Sequence, residues 1–463
     1  MISGLYLILF FILSIVLMIT AMSRWKVHPF IAIMVVSLVF GLVAGLPIVD
    51  RVADGKTTPG IMNVIGQGFA GIFSGIGLVI ILGALIGAIL EKTGAALKLA
   101  DMIVRLVGRK NPVAAMGLMG WVVSIAVFCD SGFVVLNPIR KALVKRTATS
   151  SVAMTVALSA GLFLSHVFIP PTPGPLASAN TLGLADNIAM VMGLGFLCSI
   201  LPMAAALIFA GWIGGKVKAE DESDISENAQ SYEELVASYG RLPGGFASVA
   251  PILIPILLMA SSTIVKQLGV TGPFTDAVMF LSTPVMALSI GTFIAWILLR
   301  YSGRGGQMSS ITEETLKTVG PILFITAAGG VLGKVVASSG MTAYITEHAS
   351  LLRGMGIFFP FILAAILKSS LGSSTVAIIT TAGIISPLLG ALGFASPVQA
   401  GLVCMAISAG AMTVSHANDS YFWVVTNFGG MDMQKGYRTQ TLMTLIMGIA
   451  AIAEISILSL IFG

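Results

Sequence analysis

The sequence predicts an all-α polytopic membrane protein, on three observations: its composition, the length of its apolar runs, and the return of the same motifs in its second half. Of 463 residues, 56% are hydrophobic and only 10% charged. The mean hydropathy is +1.00, whereas soluble domains carry about 25% charged residues. Apolar runs near the length needed to cross hydrocarbon cover 5–22, 30–46, 69–90, 190–213, 252–265, 278–299, 319–336, 358–389 and 442–462. The first run lacks a basic segment before it and a small-residue cleavage site before Arg24, so it reads as a retained helix, not a signal peptide. The formal charge of +5 sits in short loops between spans, where it reports topology and not a nucleic-acid partner. Cys129, Cys198 and Cys404 lie in separate apolar segments and make neither a zinc site nor a disulfide framework.

A polar, acid-rich stretch divides the chain into an N-terminal membrane repeat (1–215), a cytoplasmic linker (216–248) and a C-terminal membrane repeat (249–463). Gly87 and Gly94 match Gly333 and Gly340. Ala157-Leu-Ser-Ala-Gly161 with Ser165-His166 matches Ala406-Ile-Ser-Ala-Gly410 with Ser415-His416 after one residue of slippage. Two matches in register at an offset of roughly 250 residues point to duplication. Each half is read as about five spans plus a re-entrant hairpin, over 112–142 and 358–389, and a broken helix. An odd number of crossings inverts the second copy. Placing the N-terminus outside leaves most of the 25 lysines and arginines cytoplasmic, so both termini are expected on the periplasmic side of a bacterial inner membrane.

Non-helical backbone within hydrocarbon survives only when it is buried in protein or lines a watery cavity. Four breaks are expected. Two are hairpin tips, Cys129-Asp-Ser-Gly132 and Ser369-Ser-Leu-Gly-Ser-Ser374-Thr375; two interrupt long spans, at Ser165-His-Val-Phe-Ile-Pro-Pro-Thr-Pro-Gly-Pro175 and Ser415-His-Ala-Asn-Asp-Ser420. Breaks at matching depth in two repeats are where a midplane site forms. Hydroxyls, an amide, glycine backbone and half-helix N-termini suit a polyhydroxylated carboxylate. The candidate ligand residues are Ser131, Gly132, Ser165, His166, Thr172, Gly174, Ser373, Ser374, Thr375, Ser415, His416 and Asn418. Against this, Ser-Gly tips also serve close packing, and the prolines also suit a plain loop.

Ionisable side chains inside a membrane must face protein or water. Asp130 and Asp419, at breaks in opposite halves, are the candidate proton carriers or site anchors; the alternative is a carboxylate that caps a helix. Lys368 either offsets a ligand's charge or snorkels to the surface. Lys334 and Glu454 are read as structural or snorkelling. No metal or cofactor is expected, since the paired histidines stand in symmetric contexts and not on one helix face near carboxylates. That also argues against a membrane enzyme, and paired broken helices favour alternating access over a channel.

Lys26-Val-His-Pro-Phe30, Gly132-Phe-Val, Phe168-Ile-Pro-Pro-Thr-Pro-Gly-Pro175, Gly372-Ser-Ser-Thr-Val-Ala377 and Ser415-His-Ala-Asn-Asp-Ser-Tyr-Phe-Trp423 together resemble the gluconate permease (GntP) family of the ion transporter superfamily, in order and over nearly the whole chain. The resemblance implies proton-coupled uptake of gluconate or related sugar acids, with some members taking glycerate or D-serine. It also implies inverted repeats, a homodimer and an elevator-type motion. Thr172 stands where gluconate-type members tend to have histidine, and Asp130 where they tend to have glutamate. Sodium-coupled carboxylate uptake is the rival reading, because serine, threonine and carbonyl oxygens also coordinate Na⁺.

Overall fold

The computed structural model describes residues 4–462, apart from 54–55, 108–110, 221–233, 235–241, 269–271, 342–343, 345–353 and 418. Most of the linker and Asn418 therefore lie outside the described residues. The first half runs α1 (Leu5–Ser23), α2 (Pro29–Val43), a short antiparallel hairpin of β1 (Arg51–Ala53) and β2 (Lys56–Thr58), α3 (Ile61–Ile72), α4 (Leu78–Lys92) and α5 (Ala95–Val107). It continues with α6 (Pro112–Val123), α7 (Cys129–Thr147), α8 (Ser151–Phe168), α9 (Pro173–Thr181), α10 (Ile188–Leu197) and α11 (Ile200–Gly214). The second half comprises α12 (Gly245–Leu268), α13 (Pro273–Leu281), α14 (Pro284–Tyr301), α15 (Met308–Ser338), α16 (Phe358–Leu371), α17 (Ser374–Ile385), α18 (Pro397–Met412), α19 (Ser420–Phe428) and α20 (Leu442–Phe462). The helices from α7 to α9 start at Cys129, Ser151 and Pro173, and those from α17 to α19 at Ser374, Pro397 and Ser420, each 245 to 247 residues further on.

Local chemistry sets several starts. Pro112, Pro173, Pro284 and Pro397 all occupy the first helical turn, where the missing N–H costs nothing. Asn111 accepts from the Ala114 amide at 3.1 Å, and Ser396 with Gln399 forms a reciprocal capping box. The same residue types cut runs that look continuous in sequence. The run 278–299 is two helices separated at Ser282–Thr283, and 190–213 is divided at Cys198–Ser199. The run 69–90 passes through a π-helical stretch, 73–77, where α3 and α4 meet at 41°. Among the described residues six spans are long and apolar enough to cross a membrane, or seven with that bent pair, and two of the six, 151–181 and 185–214, run through two successive helices each. Among the shorter apolar helices, Phe358–Ser369 and Ser374–Leu388 are the two sides of one break, at 372–373.

Every residue of α8 and of α17 is buried, as is α18 from Ala400 to Met412. These helices form the centre. α8 packs on α6, α7 and α11, and α18 packs on α16 and α20, while α15 joins α2, α3 and α4 to α17. Large apolar side chains face outward on the periphery, among them Leu9 and Val16 of α1, Val35 of α2, Ile208 and Trp212 of α11, and Ile449 and Ile457 of α20. An apolar exterior around a helical body with buried hydroxyls is the arrangement lipid requires. The halves also hold each other: the buried Arg140 of α7 donates to the Phe428 carbonyl at 3.1 Å, and Ser386, just past α17, donates to the Thr181 carbonyl at 2.6 Å. Each hairpin thus secures the C-terminal end of the other half's short helix.

Candidate functional site

The four expected breaks are present, with one change of position. The first hairpin turns at Ser124–Phe128, so Cys129-Asp-Ser-Gly132 is the first turn of α7 and not the tip itself. Asp130 drives this shift, because a carboxylate in a helix's first turn is favoured by its unpaired amides. In the second hairpin, α16 ends at Gly372, whose φ of 77° is left-handed, and Ser373 caps α17 by accepting from the Val376 amide at 3.4 Å. The broken spans separate at 169–172 and 413–419.

Three of the helices that begin after these breaks, α7, α17 and α19, point their N-terminal turns at one cavity of about 270 Å³. Its lining includes Cys129, Asp130 and Ser131 of α7, Ser374, Thr375 and Val376 of α17 with Ser373 before them, and Ser420 and Tyr421 of α19. Phe128 before α7, Asp419 before α19, Phe163 and His166 of α8, and Thr318 and Ile322 of α15 complete it. The first N–H groups of each helix have no carbonyl of their own helix to bond, so the cavity collects partial positive charge suited to an anion.

The two aspartates differ sharply. Asp419 is 3% exposed and accepts from Lys368 Nζ at 2.5 Å, Ser415 Oγ at 2.5 Å and the Tyr421 amide at 3.0 Å. Lys368, fully buried, also donates to the Gly372 carbonyl at 2.9 Å and lies 5.6 Å from the Phe163 ring centre. Lys368 therefore does not snorkel: it ties the second hairpin to the second broken helix through a pair whose desolvation is offset by full hydrogen bonding. Asp130 is half-buried and its contacts are long, 3.5 Å to Ser420 Oγ and 3.7 Å to Cys129 Sγ. Among the described residues no lysine or arginine forms an ion pair with Asp130.

His166 connects the halves, with Nε2 3.3 Å from Thr375 Oγ1, while its buried Nδ1 has no partner among the described residues. Asp130, Ser131, His166, Ser373, Ser374, Thr375 and Asp419 thus meet at one cavity. Other candidates are turned to internal bonds. Ser165 Oγ donates to the Trp121 carbonyl, Thr172 Oγ1 donates to the Ile169 carbonyl at 2.6 Å, and Ser415 engages Asp419. Gly132 and Gly174 pack against Leu162 and Ile378, and His416 pairs with Ser369 at 3.1 Å, away from the lining. Lys334 is exposed on α15, and Glu454 accepts from the Leu201 amide at 3.3 Å. Phe128, Phe163, Thr318, Ile322 and Tyr421 escaped the sequence reading; Tyr421 alone carried a signal, its place beside the Asp419 break. Among the described residues no group of three or more His, Cys, Asp or Glu could hold a metal ion.

Broken helices around a polar cavity inside an apolar helical body define a multi-pass membrane permease. A family model described as GntP family permease matches residues 6–461, and the chain belongs to that family. It is 33% identical to an uncharacterized permease of Haemophilus influenzae, over 98% of this chain and 92% of the relative. It is 28% identical to a gluconate permease of Zymomonas mobilis, over 97% of each. Among solved structures it resembles the Alcanivorax borkumensis YdaH transporter, with a TM-score of 0.64 at 16% identity over 93% of this chain and 97% of that one. At that identity the likeness concerns the fold alone.

Proposed function

We propose that this permease imports gluconate or a related small hydroxy-acid anion by proton symport, with Asp130 as the proton carrier. The observation that carries the reading is the convergence of three helix N-termini and several hydroxyls on one cavity that also holds Asp130, which among the described residues forms no ion pair with a lysine or arginine. The N-termini favour the ligand's carboxylate; Ser131, Ser374, Thr375 and the imidazole of His166 match its hydroxyls. Gluconate permeases among the relatives support this substrate class.

A monovalent anion entering a negative-inside cell works against about 2.3 kcal/mol per 100 mV, and one accompanying proton removes that cost. Asp130 suits the role because an arriving anion favours its neutral form. Asp419, held by Lys368, serves instead as a fixed part of the wall. The near-constant offset between corresponding helices supports reading the halves as repeats. The test is Asp130→Asn in proteoliposomes: uptake driven by an imposed pH gradient is lost, while exchange of labelled for unlabelled substrate persists. Wild-type pH-gradient dependence in this variant contradicts the assignment, and dependence on a sodium gradient alone contradicts proton symport.

A further inference from the structure

A second chamber of about 190 Å³ adjoins the central cavity. Phe128, Ser131 and Thr318 line both spaces, and Phe128 also borders the small space beside Pro171–Pro173. Phe128 therefore stands where three spaces meet. Its backbone explains this: as the residue before α7 it is extended, at φ −57° and ψ 142°, so its ring hangs off the hairpin turn instead of packing along a helix. The ring lies 6.0 Å from His166, centre to centre.

The far wall of the chamber is α4, which presents Ala84, Gly87 and Ala88 to the hairpin turn. A Cβ on Gly87 would lie 1.9 Å from the Ala126 carbonyl oxygen, so backbone touches backbone along this seam. At the outer rim the character changes from apolar to charged: Glu91, Lys92 and Glu314 border the chamber, and Lys92 Nζ reaches Glu314 at 3.4 Å with both side chains well exposed. A hydrophilic solute in the central cavity thus has, past the Phe128 ring, a space that ends in a solvated ionic rim.

We propose that Phe128 is the partition between the central cavity and this chamber, and that solutes pass it on the way between the cavity and the Lys92–Glu314 rim. The proposal deepens the transport reading by assigning one leg of the route and the residue that closes it. A flat aromatic ring suits a partition, since a rotation about χ1 or χ2 opens a gap without moving a helix, and an apolar closure excludes water while the cavity is occupied.

Cys129, which lines the central cavity next to this ring, provides a readout that needs no substrate. The native protein in membrane vesicles is treated with a small, charged methanethiosulfonate reagent from the side bearing Lys92, and modification of Cys129 is followed by peptide mass spectrometry. Phe128→Ala should speed modification severalfold. Ala88→Trp should slow it by filling the chamber, and Glu314→Trp should do the same from an exposed rim position that does not threaten folding. Modification rates unchanged by all three substitutions overturn the proposal. Uptake assays on the same vesicles report separately on the transport reading, because a chain that moves no organic acid would still show the Cys129 pattern if the chamber is the way in.

Discussion

Asp130 and Asp419 look equivalent in the sequence, each an acid at a break in an apolar half, but the side chains around them differ. Asp419 has a lysine, a serine hydroxyl and a backbone amide within 3.0 Å. Removing its charge leaves Lys368 buried without a counter-charge, and breaking such a pair costs about 3 to 5 kcal/mol. Asp419→Asn is therefore expected to lower thermal stability in detergent strongly, and adding Lys368→Met should restore part of it; an unchanged melting temperature for Asp419→Asn would show that the pair contributes little. Asp130→Asn removes no ion pair and should melt within about 1 kcal/mol of the parent, so its expected loss of pH-driven uptake is not an unfolding effect. The sequence could not make this distinction, because Lys368 and Asp419 meet only when the second hairpin folds against α18 and α19. For the same reason Thr318 and Ile322, in a stretch of α15 that precedes its repeated glycine, were not visible as part of the site.

The breaks were legible as elements because their residues announce them: glycine at the end of α16, serine before α17, and the prolines of 170–175. Their extent was less so. Ser165 and His166 remain in α8, whose helix runs on to Phe168, and the first hairpin turns just before the stretch read as its tip. Close packing at the hairpins is a consequence of glycine, and it gives a test. Gly87→Ala forces a Cβ onto the Ala126 carbonyl and should destabilise by roughly 1 to 3 kcal/mol as overpacking does. Gly193→Ala, on an exposed face of α10 with no atom within 4 Å of the new methyl, should be neutral or gain up to about 1 kcal/mol from helix propensity. Paired melting curves check both. The second hairpin has its own measure: Gly372→Cys carries a strain of about 1 to 2 kcal/mol for a left-handed residue yet should fold and react with small thiol reagents, more slowly when substrate is present. Complete resistance to those reagents would mean that the turn is not reached from water.

For the whole molecule, composition and run length indicated the class, since both depend on local residue types, and the helix starts of α7 to α9 recur at a similar offset in α17 to α19. How the halves enclose a cavity was beyond the sequence: the bonds of His166 to Thr375, Arg140 to Phe428 and Ser386 to Thr181 each link residues more than 200 positions apart. The coupling proposed for this cavity is between an organic-acid anion and protons. It is tested most directly by uptake of radiolabelled gluconate, glycerate and related acids into proteoliposomes with proton and sodium gradients imposed separately. An inward proton gradient is predicted to drive accumulation of at least one sugar acid without sodium; accumulation that follows the sodium gradient and ignores pH would contradict it.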